Sequence, residues 1–447
     1  MMRWEQLLDL TRFMDPLYTE ERDRPPYMQD ADRIVFSLSF RRLANKTQVH
    51  PLYENDHIHH RLIHSVETGA TGRSIGIQIG SWLEDENLIE LEDRHKLAGI
   101  VQAACLAHDI GNPPFGHSGE EAIGEWFRER FSVGGGIFDL IEENDRHEFV
   151  EFEGNAQGFR ILTRLEMYRN NGGMRLTNSV LGSFIKYPTT SDVRSKIDEG
   201  YCGLKKYGIF NSDYDNFLVI INCLGLLKVN TSEKLWCKRH PLVFAVEASD
   251  DICYNIIDVE DAFLSGDLSY EQAAGALRPL ARAPAGYLQN KNEEEQIGYL
   301  RALSIGRAIG ACVDAFKEYY QEIMDGTFSK SLIEVSSKKD EFHEIRKLAK
   351  NRIFTSRRKT ELEVVGRNAI WAVLDGLIDI YQHLSNADWD TSTLTPYHKQ
   401  VINILKIDMR DVNSAYAALH SLTDFVSGMT DRYAMRAARI LSGGVHA

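Results

Sequence analysis

Eight of the chain's fifteen histidines fall between residues 50 and 117, at positions 50, 57, 59, 60, 64, 95, 108 and 117. Imidazole is the commonest protein metal ligand and titrates near neutral pH, so the cluster points to metal or proton-transfer chemistry. The sharpest local signal is His108-Asp109, which ends the apolar run AGIVQAACLAHD and precedes the loop IGNPPFGH. His108 continues the stripe Leu97, Val101, Ala104, and Asp109 is carried to the same depth. A buried carboxylate without a partner is costly, and a metal ion would satisfy both side chains. Taken alone, the dipeptide also reads as a core histidine and an exposed aspartate at a helix end.

Two more segments supply ligands of the same type. His64 lies in HRLIHSVET and Asp250 in FAVEASDDICYNIIDVED. Asp250, Tyr254 and Asp258 recur at every fourth position, so they share one helical stripe. Their neighbours Val246, Cys253 and Ile257 read as buried, while Glu247, Asp251 and Glu260 leave open a solvated acidic face. Two histidines and two aspartates make a mixed N/O set. Such a set suits Mn²⁺, Mg²⁺, Fe²⁺, Co²⁺ or Ni²⁺ better than a closed structural zinc site. After the loop, Ser118 and Glu121 fit a capping box, which puts His117 just before a helix and Glu120 in its first turn. A histidine oriented by a carboxylate beside a metal is what general acid–base catalysis requires. A capped helix start would explain Ser118 and Glu121 but not His117. Arg61, three residues before His64, would project beside it and suit a bidentate phosphate contact.

The elements that must hold these residues read as helices. Apolar residues recur at helical spacing at Ile58, Leu62, Val66 and Ala70, and at Leu97, Val101 and Ala104. A third stripe, Leu242, Val246, Cys253 and Ile257, starts after Pro241 and should end near Gly266. Breaks fall at 111–116, 134–136 and 170–173, and a small strand pair fits around 208–230. The expected fold class is all-α, one helical body over 1–447, with a metal core at 60–262 and a C-terminal helical region at 290–447. The longest apolar run, Phe217 to Leu227, is far shorter than the roughly 20 residues of a membrane span. The N-terminus MMRWEQLLDL lacks a signal-peptide core. Six scattered cysteines without a CxxC fit reduced thiols in a cytoplasmic protein. A net charge of −14 excludes wholesale coating by nucleic acid. Against it stands RKLAKNRIFTSRRK (346–359), with seven basic residues and no acidic one. It reads as a solvated surface or as an anion site: part of the active-site wall, a regulatory nucleotide site, or a single-stranded DNA contact.

The ordered set His64, His108-Asp109, Asp250 resembles the H…HD…D pattern of the HD superfamily. Longer stretches narrow the likeness: RRLANKTQV (41–49), HRLIHSVE (60–67), AHDIGNPPFGHSGEEAI (107–123), FEGNAQGFRIL (152–162), RLTNSVLGSFIKYP (175–188), EASDDICYNIIDVED (247–261) and SGMTDRYA (427–434). Over residues 30 to 435 they resemble the bacterial deoxyguanosinetriphosphate triphosphohydrolase family. The resemblance implies hydrolysis of dGTP, or of several dNTPs, to deoxynucleoside and intact triphosphate. It also implies metal ligation by His64, His108, Asp109 and Asp250, and a catalytic pair in His117 and Glu120. Gln48 and Asp258 would bind the sugar 3′-OH. Tyr254 would lie under the deoxyribose, and Arg61, Lys186, Tyr187 and Arg432 would meet the phosphates. It further implies a homo-oligomer, such as a hexamer. Many relatives carry arginine where this chain has His59, which bears on phosphate binding. The alternatives are an HD-type nucleotide phosphodiesterase or 5′-nucleotidase, or a catalytically silent nucleotide- or single-stranded-DNA-binding protein. The intact His117/Glu120 pair and the Gln48/Tyr254/Asp258 set disfavour them.

Overall fold

The computed structural model describes residues 1–48, 59–169, 171–197, 200–231, 234–284, 286–353 and 357–444. Helices dominate. Those that position the site are α1 (Arg61–Asp85), α2 (Asp93–Ala107), α3 (His117–Val133), α4 (Gly154–Arg160), α5 (Leu242–Leu264), α6 (Glu293–Glu318), α7 (Arg357–Asn386), α8 (Ala415–Gly428) and α9 (Asp431–Leu441). Among the described residues one two-stranded antiparallel ribbon occurs, β1 (Lys228–Asn230) with β2 (Leu235–Cys237), pairing Val229 with Trp236. The strand pair expected over 208–230 is therefore shorter and later. Tyr214–Cys223 is a helix instead, because Phe217, Ile220 and Ile221 bury at helical spacing. Among the described residues, no helix is long and apolar enough to cross a membrane.

The α5 helix begins directly after Pro241 and ends just before Gly266, as its sequence signals require. The α1 helix departs from expectation. Val66 is 45% exposed and Ala70 is exposed, while Ile58 lies outside the described residues. The buried face instead carries His64, Ser65, Thr68, Gly72, Ile75 and Ile79. The cause is a close approach to α2. A Cβ at Gly76 would come within 2.8 Å of the Ala98 Cα, and one at Gly80 within 2.6 Å of the Arg94 Cα. Glycine has no apolar side chain to register in a hydrophobic pattern, yet it lets two backbones meet. That approach sets the His64 and His108 rings edge to face, with centroids 5.2 Å apart.

Buried side chains form two clusters. One gathers α1, α2, α5 and α6 with the N-terminal residues. The other gathers α3 and the segment Ile137–Phe152 with α7, α8 and α9. The loop after α2 crosses between them: Ile110 is buried in the first and Phe115 in the second. Burying two such side chains contributes about 1.5–3 kcal/mol each, so the loop is anchored at both ends. The basic stretch 346–359 is not one continuous free surface. Arg346 pairs with Asp251 at 3.2 Å and Lys347 with Glu344 at 3.6 Å. Residues 354–356 and the side chains of 357–359 lie outside the described residues.

Candidate active site

The α2 helix ends at Ala107, so His108 and Asp109 emerge where the chain turns. His108 Nδ1 sits 2.6 Å from the Cys105 carbonyl. A carbonyl can only accept, so the neutral ring keeps its lone pair on Nε2. Among the described residues that Nε2 is buried without a hydrogen-bond partner, 3.6 Å from Asp109 Oδ1 and 3.5 Å from Asp250 Oδ1. His64 Nε2 lies 3.1 Å from the same Asp250 oxygen. Ligand atoms of His64, His108 and Asp109 fall within 4.8 Å of one another. The four residues thus converge from α1, the end of α2 and α5. Their mixed N/O donors and the orphaned His108 nitrogen fit a divalent cation, and the group could hold one. Asp251 turns the other way, to Arg346, which leaves Asp250 as the inward carboxylate.

The electrostatics agree with a cation site. Burial alone would raise the Asp109 pKa, but Arg61, His108 and His64 bring it down to about 2. Burial opposes a charged His108, yet Asp109 and Asp250 pull it up to about 9. The two carboxylates create a potential that favours positive charge at this point.

Beyond the cluster, His117 opens α3 rather than preceding it, and the expected Ser118/Glu121 capping box does not form. Gly116, at φ +60°, takes the cap position because a side chain there would meet Arg61: a Cβ would lie 2.7 Å from Nη2. Phe115 is left-handed too, at φ +63°, which costs a non-glycine residue about 1–2 kcal/mol. Its N–H donates to Asp431 Oδ1 at 3.0 Å, and its ring lies against Gly366 of α7. One helical turn then joins His117 Nδ1 to Glu120 Oε2 at 2.7 Å, while Glu120 Oε1 accepts from Gly154 N at 2.8 Å. The hydrogen bond to Glu120 raises the His117 pKa. Burial pushes Glu120 up, but His117 outweighs it and the net shift is downward. A protonated imidazole held by a carboxylate is the arrangement of a general acid.

These groups share a cavity of about 350 Å³. Arg61 is 7% exposed on its wall, with Nη1 donating to Asp109 Oδ2 at 2.6 Å. Gln48 and Tyr254 line it, and Gln48 Oε1 is buried without a hydrogen-bond partner among the described residues. Lys186 and Tyr187 line it as well, Lys186 lying 3.4 Å from Glu247. The expected contacts are not all brought together. Asp258 lies one turn beyond Tyr254, buried but off the wall, and Arg432 is exposed on α9, away from the lining. His59 is taken up by two carboxylates, Asp261 at 2.7 Å and Glu67 at 3.3 Å. These hold it protonated up to about 10 against the cost of burial.

Several wall residues escaped sequence reasoning. Lys206 lines the cavity and pairs with Glu153 at 2.6 Å; burial, then Glu120, pushes Glu153 up to about 7. Glu363 of α7 also reaches the wall. Lys46 and Asp431 brace it from behind, through Asn112 and Phe115. Glu153, Lys46 and Asp431 sit inside FEGNAQ, RRLANKTQV and SGMTDRYA, so those stretches marked their positions without revealing their partners.

The HD domain family matches residues 61–170, which include His64, His108-Asp109 and the His117–Glu120 pair. A deoxyguanosinetriphosphate triphosphohydrolase-like protein of Pseudomonas aeruginosa (strain LESB58) is 37% identical over 451 residues, covering 99% of each chain. One from Synechocystis sp. is 35% identical over 439 residues, covering 96% of this chain and 97% of its own. The deoxyguanosinetriphosphate triphosphohydrolase of Salmonella arizonae is 29% identical over 480 residues, covering 91% and 92%. With the residues of the H…HD…D pattern assembled in space and this likeness running end to end, the chain belongs to the deoxyguanosinetriphosphate triphosphohydrolase-like family of HD-domain proteins.

Proposed function

We propose that this protein hydrolyses deoxynucleoside triphosphates, dGTP among them, to the deoxynucleoside and intact triphosphate in a reaction that depends on a divalent metal. The observation that carries the reading is one cavity whose wall joins His108, Asp109 and Asp250 to the His117–Glu120 pair, with His64 packed against Asp250 behind them. The name of the Salmonella relative supplies the substrate class. His64, His108, Asp109 and Asp250 would hold Mn²⁺, Mg²⁺, Fe²⁺, Co²⁺ or Ni²⁺. A bound ion would polarise a phosphoryl oxygen and offset the charge that develops on it.

This chain's own residues would do the rest. Arg61, pinned beside Asp109, presents a guanidinium next to the ligand set. Lys186 and Tyr187, on the same cavity wall, would meet the phosphates. His117, with Nδ1 held by Glu120, would deliver a proton from Nε2 to the departing 5′ oxygen. Gln48 would take the sugar 3′-OH with Asp258 behind it, and the Tyr254 ring would leave no room for a 2′-OH. Arg432 matches a phosphate contact but lies off the cavity wall of the single chain, and the protein would assemble as a homo-oligomer. The basic stretch 346–359 would take a regulatory nucleotide or single-stranded DNA. The test is a product analysis of each dNTP with Mn²⁺ or Mg²⁺. Deoxynucleoside plus tripolyphosphate is expected; monophosphate plus pyrophosphate would refute the reading.

A further inference from the structure

One carboxylate from the far end of the chain ties two walls of the cavity together. Asp431 is the first residue of α9 and is 2% exposed. Thr430 fixes it there, its side chain capping the helix by accepting from Tyr433 N at 3.2 Å. Asp431 Oδ2 accepts from the Thr47 N–H at 3.0 Å and from the Thr47 hydroxyl. Its other oxygen, Oδ1, accepts from the Phe115 N–H at 3.0 Å. Thr47 immediately precedes Gln48, and Phe115 stands two residues before His117. Neither segment lies in a helix: Thr47 has an isolated antiparallel bridge to His60, and Phe115 sits in a turn.

Lys46 reinforces the same junction. It is 2% exposed, and its ammonium donates to the Asn112 carbonyl at 2.6 Å and to the Ser427 carbonyl, in the last turn of α8, at 2.7 Å. Its own carbonyl accepts from Arg61 N at 3.1 Å. Two adjacent residues, 46 and 47, therefore join the α8–α9 turn to the loop that delivers His117. Asp431 does not line the cavity and touches neither the ligand set nor the His117–Glu120 pair. Its effect on chemistry must pass through the residues it holds.

We infer that Asp431 is a positioning residue that sets recognition of the sugar 3′-OH, by holding Thr47 so that Gln48 faces the substrate. The inference rests on the function proposed above. Both carboxylate oxygens accept from backbone N–H groups of different segments, a charge-assisted arrangement that an amide cannot reproduce. An asparagine at 431 offers one acceptor and one NH₂ group. Turned either way, it sets a donor against the Thr47 or the Phe115 N–H. Releasing either segment moves a substrate-facing group, and a misplacement of about 1 Å can cost roughly 10²-fold in rate.

The experiment uses the full chain with D431N, T47V, Q48A and the double variant D431N/Q48A. It compares kcat/KM for a hydrolysed dNTP with that for its 2′,3′-dideoxy analogue, which lacks the group Gln48 would read. Expected in D431N is a fall of roughly 10–100-fold for the dNTP and a clearly smaller one for the analogue, which reports only the part that passes through Phe115 and His117. Discrimination for the 3′-OH then collapses. T47V removes only the hydroxyl tie and should move the ratio the same way by less, and it decides the matter if D431N fails to fold. The discrimination ratio of D431N/Q48A should fall no further than that of Q48A, since residues acting through one group are non-additive. Equal losses for both substrates, or additive losses of discrimination in the double variant, would overturn the inference. Wild-type protein that releases no deoxynucleoside overturns the proposed reaction and this inference together; an active wild type with an unchanged ratio in D431N and T47V overturns this inference alone.

Discussion

Replacing His117 by alanine separates chemistry from architecture. The ring is 85% exposed, facing the cavity, and among the described residues its side-chain partner is Glu120. Deleting it removes little packing but takes a hydrogen-bond partner from the buried Glu120, so stability should fall by no more than about 1.5 kcal/mol. The same deletion removes the proposed proton donor, a loss of about 10²–10⁴ in rate, or roughly 3–5 kcal/mol of barrier. None of the four metal-site residues is bonded to His117, so metal content should hold. The pH profile adds a signed test. The Glu120 hydrogen bond raises the His117 pKa above its ordinary value. An acid that must be protonated acts below its pKa, so turnover should fall as pH rises through that raised value. E120Q withdraws the partner, so the alkaline limb should move to lower pH. Deoxynucleoside release by chromatography across pH, with metal analysis and calorimetry on the same samples, provides the measurement. Turnover in H117A above about a tenth of wild type, or a loss of metal or of several degrees in Tm, would show that His117 is structural.

Three further outcomes are expected. D250N and H108A should lose bound metal by elemental analysis while D251N keeps it, because Asp251 faces Arg346 instead; equal loss in D251N would break the ligand assignment. G116A should lose about 1–2 kcal/mol by denaturant unfolding, since residue 116 sits at φ +60° and a Cβ would lie 2.7 Å from Arg61 Nη2. A variant as stable as wild type would sink that packing argument. Glu153 is pushed up to about 7 by burial and by Glu120, whereas the unfolded chain titrates near about 4.3. The folded state then holds an extra proton between those values, so stability falls as pH rises through them. E153Q should remove that slope, and an unchanged slope would place the Glu153 titration elsewhere.

The sequence by itself determined the helical class, the α5 boundaries at Pro241 and Gly266, and the chemistry of His108-Asp109. Each of these is local: a helical period, a φ restriction, two adjacent side chains at one depth. Its family-like stretches also marked which of two neighbouring aspartates would face inward, and the structure turns Asp250 toward the histidines. Other features were decided only by tertiary contact. The α1 face was misread because its packing on α2 runs through Gly76 and Gly80, which carry no hydrophobic signal. The start of α3 shifted by two residues because Gly116 must pass beside the Arg61 guanidinium, and only the folded chain brings 61 and 116 together. The Lys206–Glu153 pair and the ties from Lys46 and Asp431 are polar contacts between distant segments, the longest spanning 384 residues. Apolar periodicity reports which face is buried in hydrocarbon. It is blind to a buried charge whose partner arrives from the other end of the chain, and in this protein such charges hold the walls of the site.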